Sequence, residues 1–323
     1  MEVYRTKDGQ VSKYVHNDGS ETAIKTVSSC ANILNKATGK IEPVDVDRNK
    51  FSVFVSSSVG CPLGCKFCYL TLKKYPYYKL TPKQILNNVK EAMTEEVKFK
   101  PELRRMYMKL GWMGMGDAFL LKPYELRRLT IDILHWAIGD QGAAVGLDGV
   151  DIATILPKGA DGWPHQIAKL NDYLYQRHRR NDYGRDRTPV RLFYSLHGVT
   201  QRKNIIPGGR FNAPTGDLQL LKQFNKWYGI DVILHHMLLD GVNDSKEQCR
   251  TVALAIRNLI SNAELRILRF NECDASPYKE TKNFDELVKL FSDSLPKIKY
   301  QVSAGSEIKA ACGQFLCLTN AKK

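Results

Sequence analysis

The sequence predicts an α/β fold in which roughly six βα units form a partial, open barrel or a doubly wound sheet. Three observations lead there. From about residue 51 onward, short apolar runs alternate with helical patterns, the signature of strands brought into a parallel sheet. Roughly six such units in about 230 residues fall short of the eight units that a full barrel fits into ~250 residues. The 323-residue chain is 43% hydrophobic and 25% charged, the balance of a globular protein able to bury a core.

Residues 1–50 are polar and turn-rich, and Asp8-Gly9 and Asp18-Gly19 predict hairpin turns between alternating runs. They are expected to form a small β-rich extension, with the barrel over 51–300 and a C-terminal segment over 301–323. Strands are expected at 51–56, 106–110, 150–155, 190–196, 231–238 and 265–270. Thr81 and Pro82 open a helix as N-cap and first residue, and Ile85, Leu86, Val89, Ala92 and Met93 share its apolar face. The next helix starts near Pro123 and buries Leu126, Leu129, Ile133 and Trp136. Either architecture places its chemistry at the C-terminal ends of the strands.

The formal net charge is +14, from 48 Lys and Arg against 34 Asp and Glu. Such an excess attracts polyanions, and nucleic acid suits it best because each neutralised phosphate releases counterions. The apolar runs are too short to span a bilayer, and the start lacks the pattern of a secretory signal. A soluble, cytoplasmic protein without a membrane partner is expected. Eight cysteines in such a compartment point to thiols, metal ligands or redox groups rather than a disulfide framework.

Three of them form a group, Cys61, Cys65 and Cys68, in a C-x3-C-x2-C loop directly after an expected strand. Three thiolates from one loop can hold three irons of a [4Fe–4S] cubane. Four cysteines are the usual closed set, so an incomplete one leaves an open coordination position, as catalytic metal centres do. An open iron can chelate the amino and carboxylate groups of S-adenosylmethionine (SAM) and cleave it reductively. Zinc is the competing ion, but it prefers four N/S ligands in paired spacings, and no second pair stands nearby.

The triplet resembles the signature of the radical SAM superfamily, and its flanks narrow the resemblance. Val55-Ser56-Ser57-Ser58-Val59-Gly60-Cys61 is similar to the entry of the cluster loop in the radical SAM RNA adenine methyltransferases. Gly114-Met115-Gly116-Asp117, Ser195-Leu196-His197, Leu238 through Asp244, and Ala310-Ala311-Cys312-Gly313-Gln314 follow in the family's order. The resemblance runs from about residue 41 to 317, and implies a partial (β/α)6 TIM-like barrel of the radical SAM type. It also implies a [4Fe–4S] cluster and SAM as cofactors, RNA (rRNA or tRNA) as partner, a flavodoxin- or ferredoxin-type electron donor and a monomer. Carried over by position, Gly116 and Asp117 receive the methionine amine, with Asp where the family has Glu. Ser195, Leu196 and His197 lie on the ribose side, Asn243 on the adenosine or carboxylate side, and Phe67 packs on the adenine. The resemblance makes Cys312 a methyl carrier that receives its methyl from one SAM. A second SAM then generates the radical that activates this methyl for addition to C2 or C8 of adenine. Covalent catalysis divides a difficult step in this way. Glu42 is the candidate base for the ring proton.

The chain departs from the family in several places. Product release in the family needs a cysteine seven residues before the first cluster ligand, and here that position is Phe54. A phenyl ring cannot take part in thiol–disulfide exchange, so Cys317 or Cys30 is the candidate replacement. Asp151 stands where a serine would contact SAM, and the N-terminal region is shorter than the family's. Lys73 through Lys79 mixes cations with stackable tyrosines, a pattern suited to single-stranded RNA. The arginines between Arg177 and Arg191 are equally compatible with phosphate contact or a solvated face. Three functions stay open: an RNA adenine methyltransferase, a radical SAM enzyme of the same lineage with other chemistry, and an RNA-binding protein with a vestigial metal loop.

Overall fold

The computed structural model of the chain describes residues 1–26, 31–34, 41–43, 49–140, 142–178, 189–210, 214–272, 276–301, 304–311 and 314. The strands are β1 (Glu2–Arg5), β2 (Val11–Val15), β3 (Glu21–Lys25), β4 (Ala31–Leu34), β5 (Ile41–Pro43), β6 (Lys50–Phe54), β7 (Ser58–Val59), β8 (Tyr78–Lys79), β9 (Tyr107–Trp112), β10 (Gly146–Thr154), β11 (Val190–Ser195), β12 (Asp231–Met237), β13 (Glu264–Leu268) and β14 (Ile298–Gln301). The helices are α1 (Tyr69–Leu72), α2 (Pro82–Phe99), α3 (Pro123–Leu134), α4 (Trp163–His178), α5 (Arg202–Ile205), α6 (Thr215–Tyr228), α7 (Lys246–Leu259) and α8 (Phe284–Ser294).

One 12-stranded sheet runs β1-β2-β3-β6-β9-β10-β11-β12-β13-β14-β4-β5. From β6 to β14 every neighbouring pair is parallel, as βα crossovers require. The last of these, β14, is a parallel strand that the periodicity passes over, because Ile298-Lys299-Tyr300-Gln301 is short and half polar. The expected turns at Gly9 and Gly19 have positive φ and join β1, β2 and β3 as antiparallel neighbours. β3 then pairs antiparallel with β6, so the N-terminal strands extend the main sheet. At its other end β4 pairs with β14.

Alternation along the strands sorts side chains onto two faces. Val53, Leu110, Ile152, Leu192, Leu234 and Ile267 belong to a large cluster shared with the helices, and α2, α3, α4, α6, α7 and α8 pack over that face. The Thr81 side chain accepts a hydrogen bond from Gln84 N–H and starts α2 with a capping box. The opposite face carries two smaller clusters, one around Val11, Ala23, Leu70 and Met115 and one around Ile155, Ile205 and Met237. The functional candidates collect there. No helix among the described residues is long and apolar enough to cross a membrane.

Candidate cluster and nucleoside site

The cysteine loop leaves β6 through a serine run zipped to the glycine-rich turn after β9. Ser56 Oγ donates to Glu21 O and accepts from Met115 N–H at 2.9 Å. Ser57 Oγ donates to Asp117 O at 3.0 Å. Gly116 sits at φ +83°, where a Cβ would come within 2.2 Å of Ser58 Oγ; only glycine lets the two segments approach so closely. At its far side the loop is pinned by Lys66 N–H donating to Ile205 O at 2.9 Å.

This packing gathers residues from distant parts of the chain around one cavity. Cys61, Cys65 and Cys68 line it with Phe67, all three thiols free of disulfides and half-buried. Gly116 and Asp117 enter from the end of β9, Ala153, Thr154 and Ile155 from β10, Ser195 from β11 and His235 from β12. Burial pushes the Cys61 thiol up to about 12 and the Cys65 thiol well above the usual range. Burial disfavours the thiolates while no cation balances them, so deprotonation would accompany iron loading.

Asp117 is buried, and its carboxylate already has three partners. Oδ1 accepts from Phe119 N–H and Thr154 Oγ1–H, at 2.8 and 2.9 Å, and Oδ2 from Ile155 N–H at 2.8 Å. A carboxylate offers about four acceptor sites, so one lone pair remains for a cation in the cavity. Burial raises the group to about 6, against the pull of those hydrogen bonds. It stays anionic at neutral pH.

Other candidates stand one step behind the cavity wall. Asn243 is buried and its amide is spent on backbone: Nδ2 donates to His197 O and Met237 O, both at 2.8 Å, and Oδ1 accepts from Leu239 N–H. His197 adopts a positive φ and takes the Met237 N–H on Nδ1 at 3.0 Å. Burial, with His236, His235 and Arg202 nearby, holds it well below the usual histidine range, so it is neutral. Its ring meets Phe67 edge-on at 4.9 Å. Leu196 faces the helices. These residues latch the ends of β11 and β12 and orient Phe67. Asp151, expected at the nucleoside, is instead engaged by Arg191, whose Nε donates to Oδ1 at 2.7 Å. A carboxylate buried on the inner sheet face takes the guanidinium on the adjacent strand in register with it.

Three buried polar residues near the cavity are not signalled by the motifs. Glu21 lies on β3 fully buried, on the same face as Ala23, whose cluster touches Cys61 and Cys68. Burial raises its carboxyl to about 7, while Lys13, with Nζ 3.4 Å away, holds it down. Arg202 is completely buried beneath the cavity, and His235 lines it. Alternation on β2 and β3 signals Glu21 only once their faces are known. Of the remaining candidates, Cys30, Cys312 and Cys317 lie outside the described residues, as does the Glu42 side chain; Glu42 belongs to β5 at the opposite end of the strand order from β1.

Among the described residues no group of three His, Cys, Asp or Glu is placed to hold a single metal ion. A cubane asks something different, one thiolate on each of several irons. Three thiols on one loop, none of them in a disulfide and all bordering a shared cavity, suit that requirement.

No protein-family model matches the chain. It is 26% identical over 297 residues to the probable dual-specificity RNA methyltransferase RlmN 3 of Opitutus terrae, covering 87% of this chain and 70% of that protein. It is 26% identical over 286 residues to the dual-specificity RNA methyltransferase RlmN of Paracoccus denitrificans, covering 84% and 65%. Among solved structures, a radical SAM methyltransferase from Sphaerobacter thermophilus superposes with a TM-score of 0.66 at 20% identity, over 97% of this chain and 80% of that one. The chain therefore shares its fold with that solved structure.

Proposed function

We propose that this chain is a radical SAM methyltransferase that methylates an aromatic carbon of adenine in RNA, with Cys312 as methyl carrier. The observation that carries the reading is the single cavity in which the three loop thiols meet Gly116, Asp117 and Ser195. The names of the RNA methyltransferases it resembles, and the +14 charge, support RNA as the substrate. Tyr78, strongly exposed on the β7–β8 hairpin beside the cluster loop, offers a stacking surface for an unpaired base.

Cys61, Cys65 and Cys68 would hold a [4Fe–4S] cluster. When bound and reduced, that cluster would supply the one electron needed for reductive cleavage of the SAM sulfonium. The remaining work falls to this chain's own groups. Asp117 uses its spare lone pair to hold the ligand's ammonium beside Gly116, and Phe67, steadied by His197, covers the adenine. Ser195 lies on the ribose side. An external flavodoxin- or ferredoxin-type donor provides the electron.

Glu21 joins Glu42 as a candidate base for the ring proton, because it lies on the sheet face that bears the cluster touching Cys61 and Cys68. An interior carboxyl poised near 7 suits proton abstraction at neutral pH. Because only the carboxylate accepts a proton, the base-dependent step should rise with pH and level off above about 7, falling about tenfold per unit below it. Glu21→Gln should lower RNA methylation about 10²–10⁴-fold while leaving SAM cleavage intact; a pH profile unchanged by the substitution excludes this role.

Phe54 motivates a second reading. Its ring packs tightly against Gly111, where a Cβ would lie 2.9 Å from Cδ1, and Lys25 Nζ sits 5.2 Å from the ring centroid. This position therefore has a wall and no thiol, which favours altered turnover chemistry in the same lineage. Peptide mass spectrometry after incubation with SAM separates the two readings. A methyl group on Cys312 is expected; SAM consumption with Cys312 unmodified would favour the second.

A further inference from the structure

We propose that His235 is a further ligand-binding residue of this cavity, hydrogen-bonding through Nε2 to a ribose hydroxyl of the bound nucleoside. The proposal rests on the reading of the cavity as a SAM site. β12 carries two consecutive histidines, and strand alternation sends them to opposite faces. His236 packs its ring edge-on against Phe291 of α8 at 5.5 Å. His235 lines the cavity instead, with 8% of its surface exposed.

Buried polar groups are paired as a rule, yet His235 Nε2 has no hydrogen-bond partner among the described residues. Its neighbours hold it in place without using that nitrogen: the Phe193 ring lies 5.1 Å away, and the backbone pairs with Ser195 in register. Burial, together with nearby Arg266, keeps the imidazole neutral. A neutral imidazole nitrogen donates or accepts according to tautomer, and a hydroxyl can answer either.

The strand order selects which part of the ligand reaches it. The thiols and Asp117 enter from the ends of β6 and β9, and His235 stands on β12, three strands beyond β9. At the usual spacing that is up to about 14 Å. A ligand with its ammonium at Asp117 can touch His235 only with its distal, nucleoside part. Ser195, on the adjacent strand, then makes a second contact, and two neighbouring polar side chains match a vicinal diol.

The test uses the full chain, reconstituted anaerobically with iron and sulfide, as wild type, His235→Leu and His235→Gln. Equilibrium dialysis with S-adenosylhomocysteine, 5′-deoxyadenosine and methionine gives affinities, and iron analysis reports the cluster separately. His235→Leu should weaken both adenosine-containing probes about tenfold, the worth of roughly one hydrogen bond. Methionine affinity and iron content should stay at the wild-type level, and His235→Gln should recover to within about threefold. Unchanged nucleoside affinity in His235→Leu would overturn the proposal, as would equal loss of methionine binding, loss of iron, or a glutamine variant no better than leucine. Failure of the wild type itself to bind S-adenosylhomocysteine would remove the SAM reading, and this proposal with it.

Discussion

Substituting alanine for Cys65 is expected to reduce SAM cleavage to background and to leave the reconstituted protein well short of about four irons per chain. In the proposed reading the loop supplies three thiolates, each to a different iron. With one removed, two ligands remain on a cavity edge, too few to retain a cubane whose fourth corner already lacks a protein ligand. The fold should survive, because Cys65 is only half-buried and touches one of the small inner clusters. Far-UV circular dichroism should therefore match wild type. Cys249→Ala provides the contrast. That thiol is buried on α7 within the helix-facing core, so its loss should cost about 1 kcal/mol or more of stability with iron content and cleavage intact. Iron loss in both variants would mean that the loop cysteines act through folding.

Arg202→Met should be the most damaging single change to stability, lowering it by about 3–5 kcal/mol. The guanidinium is fully buried and joins the ends of two adjacent strands. Nη2 donates to Ile155 O and Ser195 O, both at 3.0 Å, and Nε to Leu196 O at 3.1 Å. Its plane lies over Tyr194 with 4.8 Å to the centroid, and Asp217 is 3.8 Å from Nη1. Methionine leaves those carbonyls without a donor and Asp217 without a cation. Burial already raises the Asp217 carboxyl, and Arg202 opposes that rise, so its loss drives the group further toward protonation. Lysine should rescue poorly, since an ammonium lacks the forked geometry that reaches three carbonyls. Urea denaturation measures the effect; a midpoint shift worth less than about 1 kcal/mol would show that the strand ends hold without it.

Much of this was legible in the residues. Periodicity locates the strands at the sheet's centre, because a strand covered by helices must alternate or run apolar. The cysteine spacing, the serine run before it and the glycine-rich turn after β9 lie in sequence much as they lie in space. What escaped depends on register. Glu21 and Glu42 both sit on short alternating strands, and only the pairing of β3 with β6 assigns Glu21 an inward face. His235 and His236 are indistinguishable until the face of β12 is known. Arg202, in Gln201-Arg202-Lys203-Asn204, has the composition of a solvated turn, and its burial follows from strand ends that converge only in three dimensions. His197 and Asn243 stand near the strand termini, but the backbone groups that occupy them are invisible in a one-dimensional pattern.

The most direct measurement of the central claim is product analysis of the reconstituted protein, kept free of oxygen and given SAM with a strong reductant. The account predicts about four irons and four sulfides per chain, with 5′-deoxyadenosine and methionine formed in equal amounts and neither formed by Cys65→Ala. A protein that binds zinc instead, or that carries iron but leaves SAM uncleaved, would contradict it.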